Sequence, residues 1–351
     1  MVNFSAKRIF GLLALSVMLV ATGCGGSAVN SPEKASATQS TPAAAPAKAP
    51  EPAHQSYTIK VSGTDRVSLK HLPMFLSSFG KQDGISVDFK EFSGGTKAGE
   101  ALLNKDVDFS ILQVEHVLRD TSGEMRIVGL FTRYPGLALL VNTKYKDQIA
   151  TLKDLVGKKV GVSGVGGASH QFLLILLKQN GIDPSSITIL PVGLNATEVF
   201  AQDKVMATVS LEPFVTQVVT SGQAVVLVDS RKPDGTRQVY GVDEIAWHAL
   251  VTRPDVIQNN PKMVNQTVAA LQKSLQTIAT ETIDNLTSQT PKEMIGADEA
   301  LFRQMLQANR AAFSADGKMT RKLMEPVWSN MQQQGAAPKD KPMPFDQLVS
   351  K

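Results

Sequence analysis

Apolar and polar side chains alternate through Tyr57-Thr58-Ile59-Lys60-Val61-Ser62, the period-two signature of a strand with one buried face. A loop and a helix near 72–79 follow, then a longer alternating strand over 85–92. Ser93-Gly94-Gly95-Thr96 makes a turn that opens a helix through Ala101, Leu102 and Leu103, and 107–112 reads as a short buried strand. Strands and helices take turns with short connections, which predicts an α/β architecture around a mainly parallel sheet. After two further apolar segments, 127–132 and 137–142, the pattern restarts. A helical turn over 152–157 leads to a strand over 159–163, and Gly164-Val165-Gly166-Gly167-Ala168-Ser169-His170 leads into an apolar helix over 172–179 stopped by Gly181. A strand over 187–192, a helix around 198–202 and a strand end over 207–210 complete a second α/β lobe. Past 245–252 helices dominate: Asn260 is an expected N-cap with Pro261 at the first helical position, and the run to about 285 is helical. Turns are expected at Thr290-Pro291 and Ala315-Asp316-Gly317, and a polar tail from Gly335.

Residues 7–24 carry a different pattern. Lys7 and Arg8 precede an apolar run shorter than the roughly 20 residues of a membrane span, and Ala21-Thr22-Gly23 leads directly to Cys24, the only cysteine of the chain. This reads as an export signal over 1–23. From 24 to 56 the chain is almost all Ala, Pro, Ser, Thr, Glu, Gln and Lys, which lacks the large apolar side chains needed to offset ordering entropy and predicts a disordered tether. With Cys24 the only cysteine, the chain beyond it keeps no disulfide, cysteine nucleophile or thiolate metal site.

Composition narrows the function classes. A net charge of +4 without clustered Lys and Arg argues against nucleic acid as a partner, while the mildly basic balance suits an anionic solute or plain solubility. His54, His71, His116, His170 and His248 show no metal-ligand spacing, so no metal and no cofactor is expected. The glycines of 161–166 form neither a dinucleotide nor a phosphate-loop motif, and Gly161-Val162-Ser163-Gly164 breaks the nucleophile-elbow spacing.

The candidate chemistry is that of a binding cleft. Ser93, Gly94, Gly95 and Thr96, and again Gly167, Ala168, Ser169 and His170, place small residues where a strand turns into a helix. Backbone N–H groups at such helix starts can face a ligand unobstructed, although tight turns alone also select glycine. Gln113, Gly136, Asn195 and Glu212 lie at strand ends, where α/β clefts collect ligands. Glu212 suits an amine-bearing ligand or a pairing across the hinge, and equally a cap for the helix that Pro213 starts. Trp247 offers a flat wall with one N–H donor, or simply core. His71 and His170 offer donors or charge, or are plain surface histidines.

Several of these landmarks together resemble one family. They are Phe92-Ser93-Gly94-Gly95-Thr96, Asn104-Lys105-Asp106-Val107-Asp108-Phe109, Arg133-Tyr134-Pro135-Gly136-Leu137-Ala138-Leu139 and Leu152-Lys153-Asp154-Leu155-Val156-Gly157-Lys158-Lys159-Val160-Gly161-Val162. Gly181-Ile182-Asp183-Pro184-Ser185-Ser186-Ile187-Thr188-Ile189 and Leu211-Glu212-Pro213-Phe214 complete the series. In this order they resemble the bacterial solute-binding proteins of ABC importers for nitrate, sulfonates, taurine and thiamine-pyrimidine precursors, over about residues 57–290. Cys24 after Ala21-Thr22-Gly23 likewise resembles a lipobox, with Ala21 where Leu is commonest. The resemblance implies an α/β fold of the type II periplasmic-binding kind. Lobe 1 would take 57–143 and 246–335 with a helical C-terminal extension, lobe 2 would take 144–245, and hinges would fall near 142–155 and 240–250. It implies a lipid-anchored monomer outside the cytoplasm that closes on a small organic anion, a sulfonate by first expectation, and hands it to an ABC permease with its ATPase. An enzyme on the same fold and a ligand sensor are the rival classes. The loop 63–71, which holds Ser68 and His71 and normally touches the solute, lacks the family's usual polar wording, and the 79–84 link is short. The departure in the 63–71 loop points away from the best-known ligands.

Overall fold

A computed structural model of the chain describes residues 55–193 and 195–350, so the export signal, the Cys24 anchor and nearly all of the tether lie outside the described residues. The described residues form ten strands: β1 (Tyr57–Gly63), β2 (Ile85–Glu91), β3 (Phe109–Gln113), β4 (Arg126–Thr132), β5 (Leu137–Asn142), β6 (Lys159–Val162), β7 (Thr188–Pro191), β8 (Ala207–Leu211), β9 (Ala224–Asp229) and β10 (His248–Thr252). They form two five-stranded sheets, β2-β1-β3-β10-β4 and β7-β6-β8-β5-β9. Within the first, β1 runs parallel to β2 and β3, while β10 is antiparallel to β3 and β4. The second repeats the plan, with β6 parallel to β7 and β8, and β5 antiparallel to β8 and β9. Each sheet is therefore mixed rather than mainly parallel. The antiparallel strand is in each case the one that arrives from the other lobe.

That arrangement moves one boundary. All of 137–142 is buried, and it pairs in register with β8 from Leu137 opposite Leu211 to Val141 opposite Ala207. The segment expected in lobe 1 is thus a strand of the second sheet, and the chain crosses over at 133–136, before the expected hinge. It returns through 241–247. The two crossings lie side by side, with the Ile245 N–H donating to Arg133 O (3.0 Å) and the Trp247 N–H to Thr132 O (3.0 Å).

Other elements shift for local reasons. The helix near 72–79 is a single turn, Leu72–Phe75, and the strand expected over 107–112 begins at Phe109. Pro261 starts the long helix Pro261–Thr280, but the Asn260 side chain makes no capping bond. That helix ends at Thr280, and a new one, Ile283–Gln289, starts where the Thr282 hydroxyl accepts the Asn285 N–H. Leu271, Leu275 and Ile278 on the long helix are fully buried against the first sheet. Gly129 permits that approach, since a Cβ there would lie 2.8 Å from Leu271 Cδ2. The polar tail packs back as well: Met343 and Leu348 are buried, and Val349 forms a bridge to Ile127 in β4. No helix among the described residues is long and apolar enough to cross a membrane.

Candidate functional site

Between the sheets lies a cleft with two neighbouring cavities that share part of their lining. The inner one, about 130 Å³, is walled by Leu69, Tyr134, Trp247 and Phe313, with Ser68, Thr132, Gly136 and Glu212 among its polar or small lining residues. The outer one, about 610 Å³, is lined by Ser93, Gly94, Gly95 and Thr96 from the first lobe and by Ser163, Gly166, Gly167 and Ala168 from the second. Lys70, Gln113, Ala168 and His248 border both. The two glycine turns therefore open on one space.

Each turn is shaped by its sequence. The helix Gly95–Leu103 starts after Gly94 with no side-chain cap, and the helix Ala168–Gln179 starts after Gly167 in the same way, so their first N–H groups carry no capping side chain. Gly94 faces open space, whereas a Cβ on Gly95 would come within 2.5 Å of His116 Nε2. The second turn is braced from inside. The Ser169 hydroxyl accepts the Ser163 N–H (2.8 Å) and lies 2.6 Å from Ser163 Oγ, and His170 Nδ1 accepts the Gly166 N–H (3.0 Å).

Lys70 is the charged centre of the cleft. It sits in the turn Leu69–His71 that follows β1, where Leu69 and His71 are buried on either side of it. Among the described residues its ammonium has no hydrogen bond or ion pair, and burial lowers its pKa to about 8 against the opposing pull of Asp65. His248 stands beside it, its Nδ1 3.0 Å from Thr132 Oγ1. Burial first, then the positive potential of Lys70 and the neighbouring histidines, holds His248 well below the usual imidazole range. Burial also lowers His116, with Glu115 opposing and Arg119 and Lys70 assisting.

Glu212 borders the inner cavity, but its carboxylate is committed to the protein. It accepts from Arg231 Nη1 (2.5 Å), the Thr216 N–H (3.0 Å), the Thr216 hydroxyl (2.9 Å) and Asn309 Nδ2 (2.8 Å). Trp247 is a buried wall, edge-on to Tyr240 (6.4 Å between centroids) and His248 (6.1 Å).

Of the residues singled out from sequence, Ser68, Ser93, Gly94, Gly95, Thr96, Gln113, Gly136, Gly167, Ala168, Glu212 and Trp247 border the cleft. Four do not. His71 is sealed beneath Phe89, 5.1 Å between ring centroids, and neither ring nitrogen has a hydrogen-bond partner among the described residues. Ser169 and His170 brace the second glycine turn, and Asn195 caps the helix Ala196–Ala201 by accepting the Glu198 N–H. Lys70, Thr132, Tyr134, His116 and His248 were missed. Lys70 had a readable signal, a basic residue between two apolar positions in the loop after the first strand, where parallel strands end. His248 had none, because its role depends on a hydrogen bond to a residue 116 positions away.

Residues 78–282 match the family described as NMT1/THI5 like. The riboflavin-binding protein RibY of Chloroflexus aurantiacus is 24% identical over 310 residues, which cover 84% of this chain and 82% of that protein. A solved structure from Bordetella bronchiseptica RB50 superposes with a TM-score of 0.68 at 20% identity, covering 84% of this chain and 94% of the other. The alkanesulfonate-binding protein SsuA of Xanthomonas axonopodis pv. citri, bound to MOPS, gives 0.59 at 18% identity over 86% and 99%. The fold is thus the two-lobed α/β fold of periplasmic binding proteins, as expected. The family match takes in both glycine turns, both crossings and the whole second sheet, and on that extent the chain belongs to the NMT1/THI5-like family.

Proposed function

We propose that the protein is the extracytoplasmic solute-binding component of an ABC importer, anchored through a lipid on Cys24, and that it captures a small organic anion such as a sulfonate for delivery to the permease and its ATPase. The carrying observation is Lys70, a cation with no ion pair or hydrogen bond among the described residues, in a cleft bordered by both lobes. An ammonium in that position gains most from an anion, because a buried charge without a partner is costly and a paired one is not. The uncapped helix starts at Gly94 and Gly167 supply N–H donors and partial positive charge on either side. Support also comes from relatives named for binding an alkanesulfonate and riboflavin.

Lobe 1 takes the first sheet with the long C-terminal helices, and lobe 2 takes β5 to β9. Contacts from both sides stabilise the closed state over the open one, and the permease recognises closure. No bond is made or broken in this cycle. Calorimetric titration with sulfonates (taurine, ethanesulfonate), carboxylates and pyrimidines tests the reading, with Lys70→Met as control. At least one anion binds the natural protein and is lost in the variant; failure of every anion overturns it.

A further inference from the structure

Thr132 ends β4 at the floor of the cleft, where the chain leaves for the second lobe. Its side-chain oxygen accepts the backbone N–H of His248 (3.2 Å) and lies 3.0 Å from His248 Nδ1. The threonine is buried, and among the described residues its hydroxyl proton has one acceptor within reach, that ring nitrogen. If Nδ1 carried the proton, the hydroxyl would be a buried donor without an acceptor, which costs more than the bond is worth. With Nδ1 accepting, the ring proton of a neutral imidazole sits on Nε2. That atom has no partner among the described residues and is not among the buried unpartnered ones, so it is open to the space His248 borders, namely both cavities.

We infer that Thr132 fixes His248 as a neutral Nε2–H donor facing the cleft, and that the solute must set a hydrogen-bond acceptor, a carbonyl oxygen or ring nitrogen, against it. The inference deepens the solute-binding reading and rests on it. Neutrality fits the surroundings. His248 lies in the positive field of Lys70 and His71, both in the turn Leu69–His71, and of His116 on the helix Val114–Arg119, where Glu115 and Arg119 also border the outer cavity. From the second lobe, the turn 163–168 and Gln171 contribute no charged side chain to that cavity. A second cation next to Lys70 is disfavoured, so the pair divides the work: Lys70 supplies charge and His248 reads position. The inner cavity of about 130 Å³ is close to the roughly 150 Å³ that holds a benzene ring. A six-membered heteroaromatic ring is therefore a suitable probe body.

Two measurements test this. Long-range nitrogen–proton NMR on the ligand-free protein, with the His248 signal assigned through His248→Gln, should show the Nε2–H tautomer. Thr132→Val should shift it toward a mixture, and Thr132→Ser should restore it. A dominant Nδ1–H form, a charged ring at neutral pH, or an unchanged tautomer in Thr132→Val overturns the inference. Calorimetry then compares benzenesulfonate with the three pyridinesulfonate isomers. One isomer should bind about tenfold tighter than benzenesulfonate, and Thr132→Val should erase the difference. Equal binding of all four overturns the inference while leaving the anion reading intact. Binding of none counts against the anion reading, and the tautomer measurement then decides the inference alone.

Discussion

Burial holds the Lys70 ammonium at a pKa of about 8 against 10.5 for a free lysine, so the unfolded chain binds this proton more tightly than the folded one. Below pH 8 both states are protonated and the whole penalty is present; between about 8 and 10.5 the folded protein has released the proton while the unfolded chain still holds it. Stability of the solute-free protein therefore rises with pH through that window, the reverse of what a salt-bridged lysine would give. Replacing Lys70 by Met should stabilise the empty protein by ~1–2 kcal/mol at neutral pH, allowing for solvent screening in an open cleft, and should flatten the alkaline rise in urea-unfolding midpoints. The same side chain is the expected anchor for the anion. Affinity should then fall about tenfold per pH unit above the Lys70 pKa, as the charged form becomes scarce. An affinity constant across that window would show that another group holds the charge.

At the scale of elements, the two adjacent glycines of the first turn have opposite requirements. Gly94 has nothing within contact distance of a Cβ, and its extended backbone (φ 171°) suits any residue. Serine there should leave stability within about 0.5 kcal/mol, because it caps the helix as well as glycine does. Its hydroxyl would nonetheless take an N–H that the solute needs, so calorimetry should show weaker binding. Gly95 is pressed on by the His116 imidazole, and Gly95→Ala should cost about 1–3 kcal/mol in chemical denaturation as that ring is displaced. Equal stability losses in the two variants would refute this division. These turns were legible in the sequence because small residues at a strand-to-helix junction form a contiguous, local signal. So were most strands, whose alternation needs no tertiary information. The order within the sheets was not: β9 is a short continuous apolar run from Ala224 to Val228 without alternation, the helix Pro233–Tyr240 lies in a polar stretch, and assigning 137–142 to the second sheet depends on pairing with residues some 70 positions later. The braces Ser169, His170 and Asn195 have the composition of ligand contacts, yet their polar atoms are used within their own turns. Sequence pattern carries side-chain chemistry but not side-chain direction.

For the whole molecule, the question is what resists or permits closure. The crossings 133–136 and 241–247 form a paired hinge, and the C-terminal segment lies against it: Arg133 N–H donates to Ala312 O (2.8 Å) and Ala246 N–H to Leu323 O (2.7 Å). From the same C-terminal region, the helix Glu299–Asn309 reaches the second lobe, where Asn309 Nδ2 meets the Glu212 carboxylate. Glu212 in turn holds Arg231, which also grips Asp229 through Nε (2.7 Å) and Nη2 (2.9 Å). Burial alone would raise the Asp229 carboxyl, but its bonds to Arg231 prevail and lower it, so this contribution is fully present above the ordinary carboxylate value and is lost as pH falls from there through the lowered folded-state value. Removing Glu212 leaves Arg231 with Asp229 alone and should cost about 3 kcal/mol. Removing Asn309 spares the ion pairs and should cost about 1 kcal/mol, because Glu212 keeps its other donors. The distinguishing outcome is mechanical, since Asn309 is the member that ties the C-terminal helix to the second lobe. With Cys24 replaced, spin labels on Lys90→Cys and Lys178→Cys report the separation of the lobes. Asn309→Ala should broaden that distance distribution in the solute-free protein and leave it narrow when solute is bound, whereas Glu212→Ala should lower the unfolding midpoint in both conditions. A distribution unaffected by Asn309→Ala would mean that the hinge pairing by itself sets how far the cleft opens.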